Sequence, residues 1–227
     1  MSEINNGILG KMTGSIGNIT GKVRKGKNIL ALKPASVTVA NDPESVARRE
    51  KFAQAVKFAK MVNEQMMLKL LWQKITPYEL TPFNNIVKVN YPSFQNGMCS
   101  AATTMTPLLG FPITTAAASF TQSGISFDVN PLANAFSFDT TIEAKLKPCV
   151  ILSFSTPLNS ALAPTQYVSV DIAAAGFVTT DTATFSASFN DYIKSLFDNY
   201  SNRSALVSLV TLDTNDAPVN YTQTVII

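Results

Sequence analysis

The sequence predicts an α+β protein, mainly β, from three observations. A glycine-punctuated stretch opens the chain, one long helical periodicity follows it, and short β-branched and aromatic segments fill the rest. The expected organisation is a glycine-rich basic arm or β-hairpin over 1–40, one long helix over 41–80, and an Ig-like β-sandwich body over 84–227.

In the arm, Gly7, Gly10, Gly14, Gly17, Gly21 and Gly26 recur too often for a helix interior. Residues 15–23 and 27–32 read as two extended strands turning through Arg24-Lys25-Gly26, and Pro34 stops the second. An isolated hairpin is marginal in water, so this one needs a partner surface.

Asn41-Asp42-Pro43-Glu44 marks a helix start. Asp42 can cap, Pro43 suits the first helical position, and Glu44 suits the positive end of the dipole. Phe52, Val56, Ala59, Met66 and Leu70 then recur at helical spacing, Val62 and Leu71 broaden the stripe, and Thr76-Pro77 ends it. Some thirty residues at 1.5 Å each give a rod of roughly 50 Å. Met61, Met66, Met67 and Trp72 read as core or interface.

Beyond Asn84 the expected strands are 86–91, 113–120, 124–129, 135–145, 148–155, 167–173, 182–188, 205–212 and 221–227. Residues 190–197 carry apolar positions at helical spacing and predict a short crossover helix.

Hydrophobic residues make up 46% and charged residues 15% of the chain, against a usual charged share of about 25%. So few charges suit a surface partly hidden by neighbours, and also an ordinary β-sandwich. The charge is also divided: residues 1–90 hold 14 Lys/Arg and 6 Asp/Glu, whereas residues 91–227 hold 4 and 9. A basic end can face nucleic acid, an anionic surface or an acidic partner.

The sequence has no histidine, which removes Ser-His-Asp and Cys-His catalysis and the commonest zinc ligand. Asp139 and Glu143 are the nearest acidic pair; on a strand they share a face, which fits a solvent-exposed edge better than catalysis. Gly17-Asn18-Ile19-Thr20-Gly21-Lys22 fails as a phosphate-binding loop, because three residues rather than four separate the glycines and Val23 follows the lysine. Lys22, Arg24, Lys25 and Lys27 can contact phosphates non-specifically, but residues 1–51 contain no aromatic side chain for base stacking. Cys99 and Cys149 read as separate buried thiols. No secretory signal and no apolar run of membrane-spanning length is visible, which predicts a protein made and kept in the cytoplasm unless packaged. No cofactor or metal is expected.

Gly14, Gly17, Gly21, the Lys25-Gly26 step and Pro34, followed by a helix carrying Arg49 and Phe52 near its start, resemble the opening of a family found in Bacteroidota bacteria and their phages, known as a domain of unknown function. The resemblance covers residues 7–58; beyond Asn84 only Val89-Asn90-Tyr91 and residues 184–189 are similar. The chain departs from the family in having Arg24 where many members have an aromatic. The resemblance implies a Bacteroidota or phage source and brings no catalytic residues.

The expected function is therefore that of a non-enzymatic structural protein of a phage virion, a capsid, neck or tail component. Its interfaces would be the arm (Gly14, Gly17, Gly21, Lys25, Gly26, Pro34) and the helix (Arg49, Phe52, Val56, Met66, Leu70), its partners other copies of itself or other virion proteins. The alternative is a bacterial cytoplasmic module whose Ig-like sandwich binds a protein or a glycan.

Overall fold

A computed structural model of the chain describes residues 2–4, 13–36, 38–94, 98–176 and 178–227, so Gly7 and Gly10 lie outside the described residues. The chain is α+β and divides into two compact units, Met1–Val46 and Ala47–Ile227.

The first unit is a four-stranded antiparallel sheet rather than a lone hairpin. Its strands are β1 (Ser2–Ile4), β2 (Gly14–Ile16), β3 (Ile19–Arg24) and β4 (Lys27–Leu32), in the order β1-β4-β3-β2. The β3–β4 turn falls at Lys25-Gly26 as expected. Both residues have positive φ (48° and 80°), the two-residue hairpin geometry whose twist matches the strands it joins. Gly17 takes φ 55° at the first central position of the β2–β3 turn. The segment tested as a phosphate loop is thus one turn and part of a strand.

Helix α1 (Pro43–Glu64) begins where the sequence placed it: the Asp42 carboxylate accepts the Ser45 N–H at 2.9 Å. The expected single rod is, however, two helices. At Gln65 the backbone turns extended (φ −75°, ψ 113°) and the Gln65 amide donates to the Val150 carbonyl at 3.0 Å, before α2 (Met66–Ile75) restarts with a new phase. Of residues 86–91, expected as a strand, 86–90 belong to α3 (Pro82–Asn90) and Tyr91 opens a 3-10 turn (Tyr91–Ser93). Thr81 caps it by accepting the Asn84 N–H at 3.2 Å and Pro82 opens its first turn, so the cap overrides the β-branched run Ile86-Val87.

The remaining strands are β5 (Thr115–Thr121), β6 (Gly124–Val129), β7 (Lys145–Pro157), β8 (Thr165–Asp171), β9 (Ala175–Gly176), β10 (Ala183–Ser188), β11 (Tyr200–Leu212), β12 (Pro218–Tyr221) and β13 (Val225–Ile226), with α4 (Asp191–Asn199) in the position expected of the crossover helix. One further expectation fails. Residues 135–144 form turns and irregular backbone in place of a strand, and Asp139 gathers the chain there: its carboxylate accepts the Thr141 N–H and its carbonyl the Ile142 and Glu143 N–H groups.

β7 and β11 pair along their whole length, from Lys145↔Leu212 to Pro157↔Tyr200. β12 and β13 flank the free side of β11, and β8 and β9 that of β7. Pro148 lies between the β9 pairing, which stops at Leu146, and the β8 pairing, which starts at Cys149. A missing N–H is tolerated at such a gap. β10, β6 and β5 form a separate three-stranded sheet.

The period of two along β7 and β11 sends alternate residues into two cores. Leu146, Val150, Leu152 and Phe154 of β7 join Ala205, Val207 and Leu209 of β11, the β6 residues Ile125, Phe127 and Val129, and Leu196 and Phe197 of α4. Cys149 and Ile151 join Leu206, Val210 and Leu212, packed with Ala55, Phe58, Ala59 and Val62 of α1, Leu68, Leu71 and Trp72 of α2, and Ile86 of α3. The helices and the strands of Ala47–Ile227, expected as separate segments, therefore share a core. The layers run helices, long sheet, short sheet.

The helix stripe is shifted relative to the sequence reading. Ala55, Phe58, Ala59 and Val62 are buried, whereas Phe52 is 54% exposed. Phe58 meets the Phe94 and Tyr167 rings edge-on at 5.7 and 5.5 Å. Phe58→Ala should accordingly cost ~3–5 kcal/mol in urea unfolding, and Phe52→Ala within about 0.5 kcal/mol; the reverse ranking would restore the stripe through Phe52.

Candidate assembly interface

The strand register of the N-terminal sheet sorts its side chains onto two faces, because residues opposite each other share a face and successive residues alternate. Ile16↔Ile19↔Leu32, Gly14↔Gly21↔Leu30 and Val23↔Asn28 make one face, and Ser15↔Thr20↔Ala31, Lys22↔Ile29 and Arg24↔Lys27 the other. The first is aliphatic apart from Asn28 and carries two glycines side by side, Gly14 exposed and Gly21 buried. The second is polar and basic, and carries a Ser15–Thr20 hydroxyl contact of 3.1 Å. Ile16 is 69% and Leu32 79% exposed. Along this face burial runs from exposed Ile16, Ile19 and Leu32 at one end to half-buried Val23, Asn28 and Leu30 and buried Gly21.

The arm residues singled out in the sequence have distinct places here. Gly14, Gly17 and Gly26 all take positive φ (107°, 55° and 80°), a conformation only glycine adopts without cost. Gly21 is buried in β3 opposite Leu30 and Gly14. Lys25 is the first turn residue, and Pro34 follows β4 after Lys33 has donated its N–H to the Asn18 carbonyl at 2.7 Å. These residues thus serve the turns and strand pairing of one small sheet.

The helix residues do not form one stripe. Arg49, Phe52 and Met66 are exposed, while Val56 and Leu70 are half-buried. Val56 packs at the edge of the helical core. The break at Gln65 puts Phe52 and Val56 on α1 and Met66 and Leu70 on α2. Beside that break lies a cavity of about 310 Å³, lined by residues that include Gln65, Met67, Lys147, Cys149 and Asp171. Lys147 reaches Asp171 across 2.6 Å at its side.

Among the described residues no three His, Cys, Asp or Glu side chains gather as metal ligands. Asp139 and Glu143 do not share a strand face as expected: Asp139 is exposed, its carboxyl lowered by hydrogen bonds from Thr141, whereas Glu143 is buried and accepts from the Asp139 N–H and the Asn220 amide, both at 3.1 Å. Cys149 is buried in the helical core, and burial pushes its thiol up to about 12. Cys99 is half-buried near the Ser153 and Tyr167 hydroxyls at 3.7 and 3.9 Å, and burial raises it as well.

One exposed feature had little signal in the sequence. Leu109 is 98% exposed at φ 83°, beside exposed Leu108, at the tip of a loop whose base is fixed. The Phe111 N–H donates to the Tyr221 carbonyl at 3.1 Å and the Gln223 N–H to the Phe111 carbonyl at 2.9 Å. Gly110 is pressed so close that an added Cβ would meet the Thr222 backbone at 2.5 Å. Only the Leu-Leu-Gly-Phe run after Pro107 hinted at it.

Comparison with known protein families, with curated protein sequences and with solved structures gives no match.

Burial makes the two thiols behave in a measurable way. Cys149 in the native chain should stay inert to a thiol-disulfide reagent at pH 8 and react once guanidinium unfolds it. Because its folded pKa is raised, the stability it lends is complete below about pH 9 and declines as pH climbs toward 12. Urea midpoints between pH 8.5 and 11 should therefore fall less steeply in Cys149→Ala than in the parent chain.

Proposed function

We propose that this chain is a non-enzymatic structural protein of a phage virion, built in the host cytoplasm and fixed to neighbouring subunits by its N-terminal sheet and by exposed residues of its first helices. The observation that carries the reading is the aliphatic face of the β1–β4 sheet, where Ile16, Ile19 and Leu32 are exposed side by side. Exposed aliphatic side chains of this kind are stabilised when another surface covers them. The two cores of Ala47–Ile227 need no such help. We read its two sheets as a sandwich of the Ig-like kind with helices added behind one of them.

The relationship to the Bacteroidota and phage family belongs to the same proposal. Its support is local: Gly14, Gly17 and Gly26 of the shared pattern stand where φ is positive, so the pattern preserves a sheet rather than a catalytic loop. The low share of charge, 15%, agrees with a surface partly covered in an assembly.

The test uses light scattering on the full chain and on a chain lacking residues 1–40. An oligomer that becomes a folded monomer on truncation is the expected result. Gly17→Leu and Gly21→Leu should likewise abolish assembly, with Gly17→Leu straining a φ of 55°, while the far-ultraviolet spectrum and thermal transition of the body stay unchanged. Normal particles formed by the two leucine variants would rule the anchoring role out.

A further inference from the structure

We infer that the outer edge of β5 pairs with β5 of a second copy of this chain, the two strands running antiparallel about a two-fold axis at Ala118. The three-stranded sheet β10-β6-β5 then continues through the contact into its copy. The contact uses no residue of the N-terminal sheet.

β5 ends the order β10-β6-β5, and among the described residues no strand pairs with its other side. Thr121↔Gly124 closes a two-residue turn and is therefore a hydrogen-bonded pair. Alternation along the ladder then turns the backbone groups of Thr121, Ser119 and Ala117 toward β6, and those of Ala118 and Phe120 outward. A row of outward N–H and C=O groups at strand spacing is matched by another strand.

This edge carries no guard against such pairing. Residues 89–127 hold no Asp, Glu, Lys or Arg, and β5 reads Thr-Ala-Ala-Ala-Ser-Phe-Thr without proline. Its one irregularity, the register shift between Thr115 and Ala117, stops short of Ala118. Other edges are guarded or short. On β8 the Lys57 ammonium donates to the Thr165 carbonyl at 3.4 Å, and Asp171 ends the strand in its ion pair with Lys147. β10 lies between Asp181 and Asp191, and β1, β2, β9, β12 and β13 have two to four residues each. The core is also left open here. Ala118 stands opposite buried Phe127 and Phe120 opposite buried Ile125, yet Ala118 is exposed and Phe120 half-buried.

Symmetry selects the second copy. One edge serves both sides of an antiparallel pair when a two-fold axis relates them. With the axis at Ala118, midway along β5, Ala116 meets Phe120 and Ala117 meets Ser119 of the other copy, a large residue against a small one and small against small. No charge within β5 repels its own kind. Asp128, opposite Ala117 on β6, is separated from its symmetry mate by three strand spacings, at least ~14 Å, beyond the ~8 Å Debye length at physiological salt. One pair of strands covers far less than the roughly 800 Å² per partner of a standard stable interface. The contact is therefore weak, forms where copies are concentrated or held side by side, and leaves the dilute chain without residues 1–40 monomeric.

Sedimentation of the full chain at rising concentration, with oxidation of cysteine variants, tests the pairing. Opposed residues at the axis have Cα atoms about 5.5 Å apart, within disulfide reach, so Ala118→Cys should oxidise to a covalent dimer joined at position 118. Ser119→Cys, which faces Ala117 of the other copy rather than itself, should not. Ala118→Pro removes an outward N–H, a change an edge strand tolerates, so its thermal transition should match that of the parent chain. Its self-association at high concentration should be at least about tenfold weaker, because the same bond is lost twice across the axis. Association of Ala118→Pro equal to the parent's overturns the pairing, by showing that the copies join elsewhere. Disulfides at 119 as readily as at 118 overturn it too, as the mark of collision without register. So does a parent chain that stays monomeric to its highest soluble concentration with no disulfide at 118, which leaves the edge to a foreign strand or to water. None of these results bears on the anchoring role, which removal of residues 1–40 decides.

Discussion

The pairing of β7 with β11 is the constraint on which the body depends. Both strands run thirteen residues and lie buried through most of their length. A sheet apolar on both faces must be covered on both. The helices cover one face and the short sheet with α4 covers the other, and neither cover has a reason to form without the strands between. Polar groups fasten these layers at a few points. The Trp72 indole donates to the Met105 carbonyl at 2.8 Å, and the buried Asn90 amide donates to the Ile86 and Thr104 carbonyls and accepts the Thr104 N–H, tying the loop after α3 to the helical core. Such groups are costly to leave unpaired, so they fix one arrangement of the layers.

The N-terminal sheet obeys the opposite rule. Among its described residues the turns, register and alternation of faces are regular, yet Ile16, Ile19 and Leu32 on its aliphatic face are left exposed. In a chain whose body already holds two cores, that imbalance is the physical basis for reading residues 1–46 as a connector.

Several features were legible in the sequence because a single local signal decided them. The Lys25-Gly26 turn, the Asp42-Pro43 helix start, β6 over its full span and the α4 crossover helix all carry their own punctuation. Others were not, because a distant partner decided them. β11 begins at Tyr200 although Ser201-Asn202-Arg203-Ser204 reads as loop, since pairing to β7 extends the strand through polar residues. The helix breaks at Gln65 because its amide reaches Val150 in β7, which no periodicity reveals. The strand expected at 86–91 was lost to a two-residue cap, and that at 135–145 gave way to turns around Asp139. The arm glycines were legible as a pattern. The aliphatic face they sit in needed the register.

Native-state hydrogen exchange on the full chain, read residue by residue, tests the account most directly. Amides of β7 and β11 should exchange only through global unfolding, and amides of β2–β4 through far smaller openings in the dilute monomer, gaining protection as the chain assembles. Equal protection of β2–β4 and β7 in the dilute monomer would contradict the account, because the N-terminal sheet would then be stable without a partner.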